Sequence, residues 1–262
     1  MKYYFAPLEG ISGYIYRNAY EKFFPNNIDK YFTPFIVPNQ SKSLKTKEFR
    51  DVLPENNNGL NIIPQILTNN SEGFIATCKK LKQLGYDEVN LNLGCPSGTV
   101  VSKFRGSGFL GKREELDNFL DEIFKIQDMK ISIKTRLGVD SADEFYEIMK
   151  IYDKYPMEEL IIHPRTRQDF YGNKPNMEMF KDALKSSKNT ICYNGDIFSV
   201  KDYEKLKGRY IYIYNKSGKR VEFESINILY NGKAINYRSL VQLGDDKPIA
   251  LSTKGKVMFD LK

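Results

Sequence analysis

Short runs of β-branched and aromatic residues recur along the first two hundred positions, and between them apolar residues fall at helical spacing. Strands are predicted at residues 3–6, 30–36, 62–66, 88–93, 130–134, 159–162 and 190–193, each running into a polar or Gly/Pro-containing turn. Residues 71–84 set Phe74, Ile75, Cys78 and Leu81 on one helical face, with Ser71 as N-cap and Gly85 as C-cap. Residues 113–124 and 141–155 read as further amphipathic helices, the second opened by a capping box of Ser141 and Glu144. Strands alternating with crossover helices predict a parallel sheet. Seven such units predict an α/β fold, a TIM-type (β/α)8 barrel that is incomplete or irregular at its last strand.

The pattern changes near Gly208. From residue 209 onward the helical period disappears, and short strands are expected at 210–214, 221–229, 234–240 and 256–261. Asn231-Gly232 between two apolar runs is a strong two-residue hairpin signal. The chain therefore divides into a barrel domain, residues 1–208, and a β-hairpin-rich C-terminal segment, residues 209–262.

Composition narrows the class. With 41% hydrophobic and 28% charged residues in 262 positions, the chain has the balance of a soluble globular protein. Apolar runs are far shorter than the roughly 20 residues of a membrane span, and the N-terminus lacks the apolar stretch of a signal peptide; a cytoplasmic protein is expected. Three cysteines, Cys78, Cys95 and Cys192, are too few and too widely spaced for a disulfide framework or a zinc site. Forty basic against thirty-three acidic residues give +7, which suits a polyanionic partner and equally a solubility charge.

In a barrel of this type, chemistry gathers at the C-terminal ends of the strands. Those ends carry Pro7, Leu8, Gln65, Asn92, Cys95, Lys134, Arg136, His163, Arg165, Arg167, Asn194, Gly195 and Asp196. Cys95 follows an Asn-x-Asn-x-Gly run and precedes Pro96, which bends the chain and brings the thiol to the barrel mouth as a nucleophile or general acid. Cys78 and Cys192 read instead as core residues. His163 is the single histidine, so a multi-histidine metal site is excluded. A neutral imidazole there suits the edge of a cofactor ring, the alternative being a satisfied, half-buried histidine. Lys134 is costly near the end of an apolar strand unless it meets an anion or an electron-rich ring, such as a flavin; otherwise it snorkels to solvent. Gly106-Ser107-Gly108-Phe109-Leu110-Gly111-Lys112 contains both a G-x-G-x-x-G and a G-x-x-x-x-G-K pattern. It does not directly follow a strand, and Arg113 stands where a phosphate loop needs Ser or Thr. It reads as a flexible glycine loop over the mouth, with Lys103 and Arg105 at its base facing phosphates or simply solvent.

Taken in order and spacing, Ala6-Pro7-Leu8-Glu9-Gly10, Asn90-Leu91-Asn92-Leu93-Gly94-Cys95-Pro96, Lys103-Phe104-Arg105-Gly106, Lys134-Thr135-Arg136-Leu137-Gly138, His163-Pro164-Arg165-Thr166-Arg167 and Asn194-Gly195-Asp196 resemble the tRNA-dihydrouridine synthases over residues 1 to about 208. The resemblance implies FMN over the barrel mouth: Pro7 and Leu8 against its ring, Gln65 and Lys134 on its polar edge, His163 beside it, and Asn194, Gly195 and Asp196 near its phosphate. It implies NADPH or NADH as reductant and tRNA as partner, with a uridine reduced to 5,6-dihydrouridine and Cys95 as proton donor. Asn92, Lys103, Arg105, Arg136, Arg165 and Arg167 would contact substrate or RNA. Residues 209–262 depart from the family: its eighth strand, the Gly-rich phosphate turn and the helical tRNA-gripping domain have no counterpart, 210–214 and Asn215-Lys216-Ser217-Gly218-Lys219 being loose substitutes. Two other classes remain open, an FMN barrel oxidoreductase acting on a free pyrimidine and a non-catalytic RNA-binding remnant.

Overall fold

The computed structural model describes residues 2–38, 46–200, 202 and 206, together with strand segments given below for the rest of the chain. Two compact units divide it, Met1–Gly195 and Asp196–Lys262. The first unit thus closes ahead of the Gly208 junction at which the sequence pattern changes.

In the first unit, parallel strands pair in sequence order. β1 (Tyr4–Phe5), β2 (Lys30–Phe32) and β3 (Ile62–Ile63) form one ladder. A second runs through β4 (Gln65–Ile66), β5 (Glu88–Leu93), β6 (Lys130–Arg136), β7 (Leu160–His163) and β8 (Ile191–Tyr193). β3 and β4 are halves of the single strand expected at 62–66. Pro64 divides them because it has no N–H for a ladder. The chain then changes partner, from β2 to β5, and a bridge between Ile36 and Ile66 connects the two ladders.

Parity along the strands sorts the side chains. Val89, Leu91 and Leu93 of β5, with Ile131 and Ile133 of β6 and Leu160 and Ile162 of β7, join the main core. The crossover helices cover it: α3 (Ser71–Gln83) with Phe74, Cys78 and Leu81, α5 (Arg113–Ile123) with Leu116, Phe119 and Leu120, α6 (Glu144–Tyr152) with Phe145, Ile148 and Tyr152, and α7 (Met177–Ser186) with Met179, Phe180 and Ala183. Each large apolar side chain buried this way contributes roughly 1.5–3 kcal/mol, which fixes the register of the strands. The alternate residues, Asn90, Asn92, Ser132, Lys134 and Arg136, therefore face the other side.

That other side is concave. Phe32 of β2, Ile63 of β3 and Ile161 of β7 form one small cluster, with Tyr4 and Cys192 packed against it. The Tyr4 hydroxyl donates to Oε1 of Glu159, just before β7, at 2.8 Å. In a flat sheet β1 and β7 would lie about 24 Å apart, at about 4.8 Å per strand. The sheet therefore curls through most of a ring. Among the described residues no strand pairs β8 with β1, so the expected closed barrel is not completed by them.

Local starts differ from expectation where a side chain intervenes. The cap of α3 is Asn70, whose Oδ1 accepts from the Gly73 N–H at 2.6 Å, rather than Ser71; Gly85 lies past the helix end at φ +94°. α6 begins at Glu144, which reaches back to the Asp140 and Ser141 N–H groups at 2.7 and 2.8 Å. The expected capping box is present ahead of it: Glu144 takes the Ser141 N–H and the Ser141 Oγ accepts the Asp143 N–H at 3.3 Å, so only the first regular helical residue lies later than spacing suggests. Ahead of α3, α1 (Tyr14–Phe23) and α2 (Thr46–Val52) flank the first ladder.

The second unit contains antiparallel strands. β10 (Asn227–Tyr230) pairs with β11 (Lys233–Ile235) in the register of the expected hairpin and with β14 (Val257–Asp260) on its other edge. β9 (Tyr210–Ile213) pairs antiparallel with β13 (Ile249–Ser252), which also pairs with β12 (Leu240–Val241). The suggestion that 210–214 supplies the eighth barrel strand is thereby corrected, since that strand would be parallel. The turn Asn231-Gly232 and residues 215–219 lie outside the described residues. No described helix is long and apolar enough to cross a membrane.

Candidate active site

The concave face becomes polar toward the C-terminal ends of the strands. Register places Gln65 beside Asn90 and Asn90 beside Ser132, then Asn92 beside Lys134, Lys134 beside Ile161, and Arg136 beside His163. Directly paired residues of parallel strands project to the same side, so these groups share the surface that holds Ile161. The residues gathered from separate turns by sequence reading thus meet because each occupies the same parity of its strand.

Their carboxamides form a chain. Gln65 Nε2 donates to Asn90 Oδ1 at 2.8 Å, Asn92 Nδ2 donates to Gln65 Oε1 at 2.7 Å, and Asn90 Nδ2 donates to Ser132 Oγ at 3.0 Å. All four residues are buried. This fixes the amide orientations and leaves Gln65 one N–H and one lone pair to spare. Asn92 Oδ1 in turn accepts from the Gly94 and Cys95 N–H groups at 3.1 and 3.0 Å.

Cys95, half-buried, is thereby held at its amide, and its carbonyl is held as well. Ser107 donates to it from both N–H, at 3.1 Å, and Oγ, at 2.9 Å. Gly106 lies against the same carbonyl at φ +55°, where an added Cβ would come within 2.7 Å of the oxygen. The glycine run is therefore no flexible loop: Gly106–Gly111 is a 3-10 helix whose residues 106–110 are buried, with Phe109 packed edge-on against Phe119. Glycine serves close approach here, which a pattern of glycines alone does not distinguish from mobility.

Lys134 is half-buried on this face, and no hydrogen-bond or ion-pair partner of its ammonium occurs among the described residues. Burial first, and nearby Arg136 second, push it down from 10.5 to about 8, with the Cys95 and Cys192 thiols acting in the opposite sense. Arg136 is fully buried. Its Nε donates to Gly94 O at 3.0 Å and Nη1 to Thr166 O at 2.8 Å, while Nη2 makes no hydrogen bond of normal geometry among the described residues, the Tyr171 side chain lying nearby. Burial lowers its pKa too. Arg165, also buried, donates from Nη1 to His163 Nε2 at 3.0 Å and from Nε to Asn173 O at 2.5 Å. A guanidinium only donates, so the His163 ring accepts at Nε2 and is neutral, its proton on Nδ1.

The remaining expected residues divide by exposure. Pro7 is half-buried and Leu8 exposed after β1; Asn194, Gly195 and Asp196 are half-buried after β8, straddling the unit boundary. Lys103 is exposed. Arg105 donates from Nε to Asn69 Oδ1 at 3.4 Å, and Arg167 pairs with Asp140 at 3.4 Å. Cys192 lies on the concave face, where burial pushes its thiol up to about 12; Cys78 is buried in α3 with the same consequence. Sequence reading missed Asn90, the hub of the amide chain, Ser107, and Tyr171. The Tyr171 ring, 68% exposed, lies 5.3 Å from the Arg136 guanidinium carbon and 6.2 Å from the His163 ring. The Asn-x-Asn alternation could have revealed Asn90; Tyr171 follows a loop path that no local period encodes.

A parallel sheet of successive βα units, with an anchored cysteine among amides and cations at its strand ends, defines the class. The dihydrouridine synthase model matches residues 4–208, and the chain belongs to that family. A probable tRNA-dihydrouridine synthase of Staphylococcus aureus (strain Mu50) is 25% identical over 214 residues, covering 78% of this chain and 63% of the relative. Probable tRNA-dihydrouridine synthase 1 of Synechocystis is 22% identical over 197 residues, covering 74% and 54%. The tRNA-dihydrouridine(20/20a) synthase of Shewanella oneidensis is 35% identical over 95 residues, covering 35% and 28%. The matched region thus spans less than two thirds of these relatives.

Proposed function

We propose that this chain reduces the C5–C6 double bond of a uridine in tRNA to 5,6-dihydrouridine, with a flavin that is reduced by NADPH or NADH. The observation that carries this reading is the Lys134 ammonium, without a partner among the described residues and half-buried on the same face as an anchored Cys95. A cation kept there without an acid fits a ligand edge that is electron-rich. The spare N–H and lone pair of Gln65 and the neutral His163 suit the same polar edge, and Pro7 and Leu8 suit the apolar face of a ring. Asn194, Gly195 and Asp196 would hold the phosphate end.

When bound and reduced by NADPH or NADH, FMN would supply the hydride received by C6 of the uracil and return to its oxidised form. The Cys95 thiol gives its proton to C5, where that addition builds up negative charge, and the two together saturate the bond. Asn92 and Ser107 fix the thiol by gripping its amide and carbonyl. Asn92, whose Oδ1 is taken by the Gly94 and Cys95 N–H groups, keeps one Nδ2 N–H, and Arg136 keeps its Nη2 N–H groups, as donors toward the carbonyls of the base. Arg165 holds His163, while the exposed Lys103 and the half-buried Arg105 and Arg167 would meet the RNA backbone.

Purified full-length protein should be yellow and should release FMN absorbance on denaturation. Cys95→Ala should keep that absorbance and lose dihydrouridine formation by about 100-fold or more. A protein that takes up no FMN sinks the reading, and salt-dependent RNA binding by such a colourless protein would make it a binding module. Turnover of a free pyrimidine in place of tRNA would make it a different flavin oxidoreductase.

A further inference from the structure

Among the described residues, three non-glycine residues have positive φ, Asn26, Phe104 and Phe170. Asparagine tolerates that region; a bulky aromatic residue does not. Phe104, at φ +49°, is also 53% exposed. It closes the turn after α4 (Gly98–Val101), its N–H donating to Val101 O at 2.9 Å and the Arg105 N–H to Val100 O at 3.2 Å. A glycine is the usual occupant of such a position. The fold gains neither burial nor backbone ease from this phenylalanine.

The ring is nonetheless displayed by an ordered segment. Asn69 Nδ2 donates to Lys103 O at 3.1 Å, Arg105 Nε donates to Asn69 Oδ1 at 3.4 Å, and the next residues are the Gly106-Ser107 pair that grips the Cys95 carbonyl. The position of the ring relative to the thiol is thus set by a few fixed residues. One cation lies over it and two flank it in sequence. Lys112 Nζ stands 5.0 Å from the ring centroid, with Glu115 at 3.8 Å. Lys103 is exposed without an ion pair among the described residues, and Arg105 borders the ring in sequence.

An open aromatic face among lysines and arginines is how single-stranded nucleic acid is held: the ring stacks a base of any identity and the cations meet the flanking phosphates. A base withdrawn from its stack leaves neighbours with an uncovered face. We propose that Phe104 stacks a nucleobase adjacent to the uridine to be reduced, with Lys103, Arg105 and Lys112 on the neighbouring phosphates. This rests on the reading that the substrate is a uridine in RNA.

The test uses the full chain and a single-stranded oligonucleotide carrying one uridine, with 2-aminopurine on its 5′ or its 3′ side. Wild type should quench the fluorophore at one of the two positions. Phe104→Trp should retain the quench. Phe104→Leu and Phe104→Gly should lose it and bind the RNA on the order of 10-fold more weakly, the loss falling on KM rather than kcat. Phe104→Gly should melt at or above the wild-type temperature, because glycine relieves the left-handed backbone. Phe23→Ala, which removes a still more open ring, 73% exposed on α1, should bind as wild type. The inference is overturned if Phe104→Leu and Phe104→Gly bind as wild type, if neither fluorophore position responds, or if Phe104→Gly unfolds. Should wild type with FMN and NADPH form no dihydrouridine, the catalytic reading fails, while quench and affinity still decide the role of Phe104.

Discussion

Lys134 occupies a place where the interior of a strand would ordinarily hold an uncharged side chain, and the physical cost of that choice can be measured. Burial and Arg136 bring its pKa from 10.5 to about 8. Below pH 8 the folded and unfolded chains both carry the proton, and the folded state bears the full cost of the buried ammonium. Between pH 8 and 10.5 the folded chain releases the proton first, so stability rises with pH through that window. Lys134→Met should therefore be more stable than wild type at pH 7, by on the order of 1–3 kcal/mol, with the gap narrowing toward pH 10. FMN affinity should run the other way, weakening above pH 8 in wild type and remaining weak and flat with pH in Lys134→Met. Thermal melts and flavin titrations from about pH 6 to 10 read both trends. A variant that melts below wild type at pH 7 would refute this account of the residue.

At the scale of elements, the cap of α3 lies one residue ahead of the Ser71 that spacing suggests. Asn70 accepts the Gly73 N–H through its side chain, whereas the Ser71 hydroxyl meets Glu122 on the surface. Asn70→Ala should lower the unfolding free energy by about 1 kcal/mol, and Ser71→Ala by about 0.5 kcal/mol or less, as read by denaturant melts. Equal losses would place the cap where spacing first suggested. The same contrast explains what was legible. β5 has its expected bounds because Val89, Leu91 and Leu93 alternate with Asn90 and Asn92 and declare both faces at once. The strand at 62–66 broke because Pro64 changes the ladder, a consequence of pairing rather than of pattern. Gly106, Gly108 and Gly111 suggested mobility, since a sequence shows the missing Cβ but not the Cys95 carbonyl or Val101 backbone pressed against it. The site residues were legible one by one from the strand ends; their hydrogen-bond partners, and the Tyr171 ring, depend on where separate loops meet in space.

Across the whole first unit, the curl of the sheet brings buried charge together at the end opposite the candidate site. Lys30 opens β2 and meets Glu88, the first residue of β5, at 2.8 Å and Glu159 at 3.8 Å, while Tyr4 of β1 donates to Glu159. Strands far apart in the ladder are thus tied by one carboxylate, and Glu159 Oε2 has no hydrogen-bond partner among the described residues. Burial raises the Glu159 pKa, against the Tyr4 hydrogen bond and Lys30, which lower it. A carboxyl whose folded pKa is raised contributes stability that is fully present below its ordinary value and lost as pH rises through the folded value. Glu159→Gln keeps an oxygen for Tyr4 without the charge, so it should match wild type near pH 4 and be at least as stable at pH 8. Glu159→Ala should be less stable at both, because it leaves the Tyr4 hydroxyl without its acceptor. Melts of the three proteins at the two pH values decide the matter. If Glu159→Gln melts well below wild type at pH 8, the ionised carboxylate is a net tie between β1, β2 and β7, and attraction to Lys30 outweighs the cost of burying it.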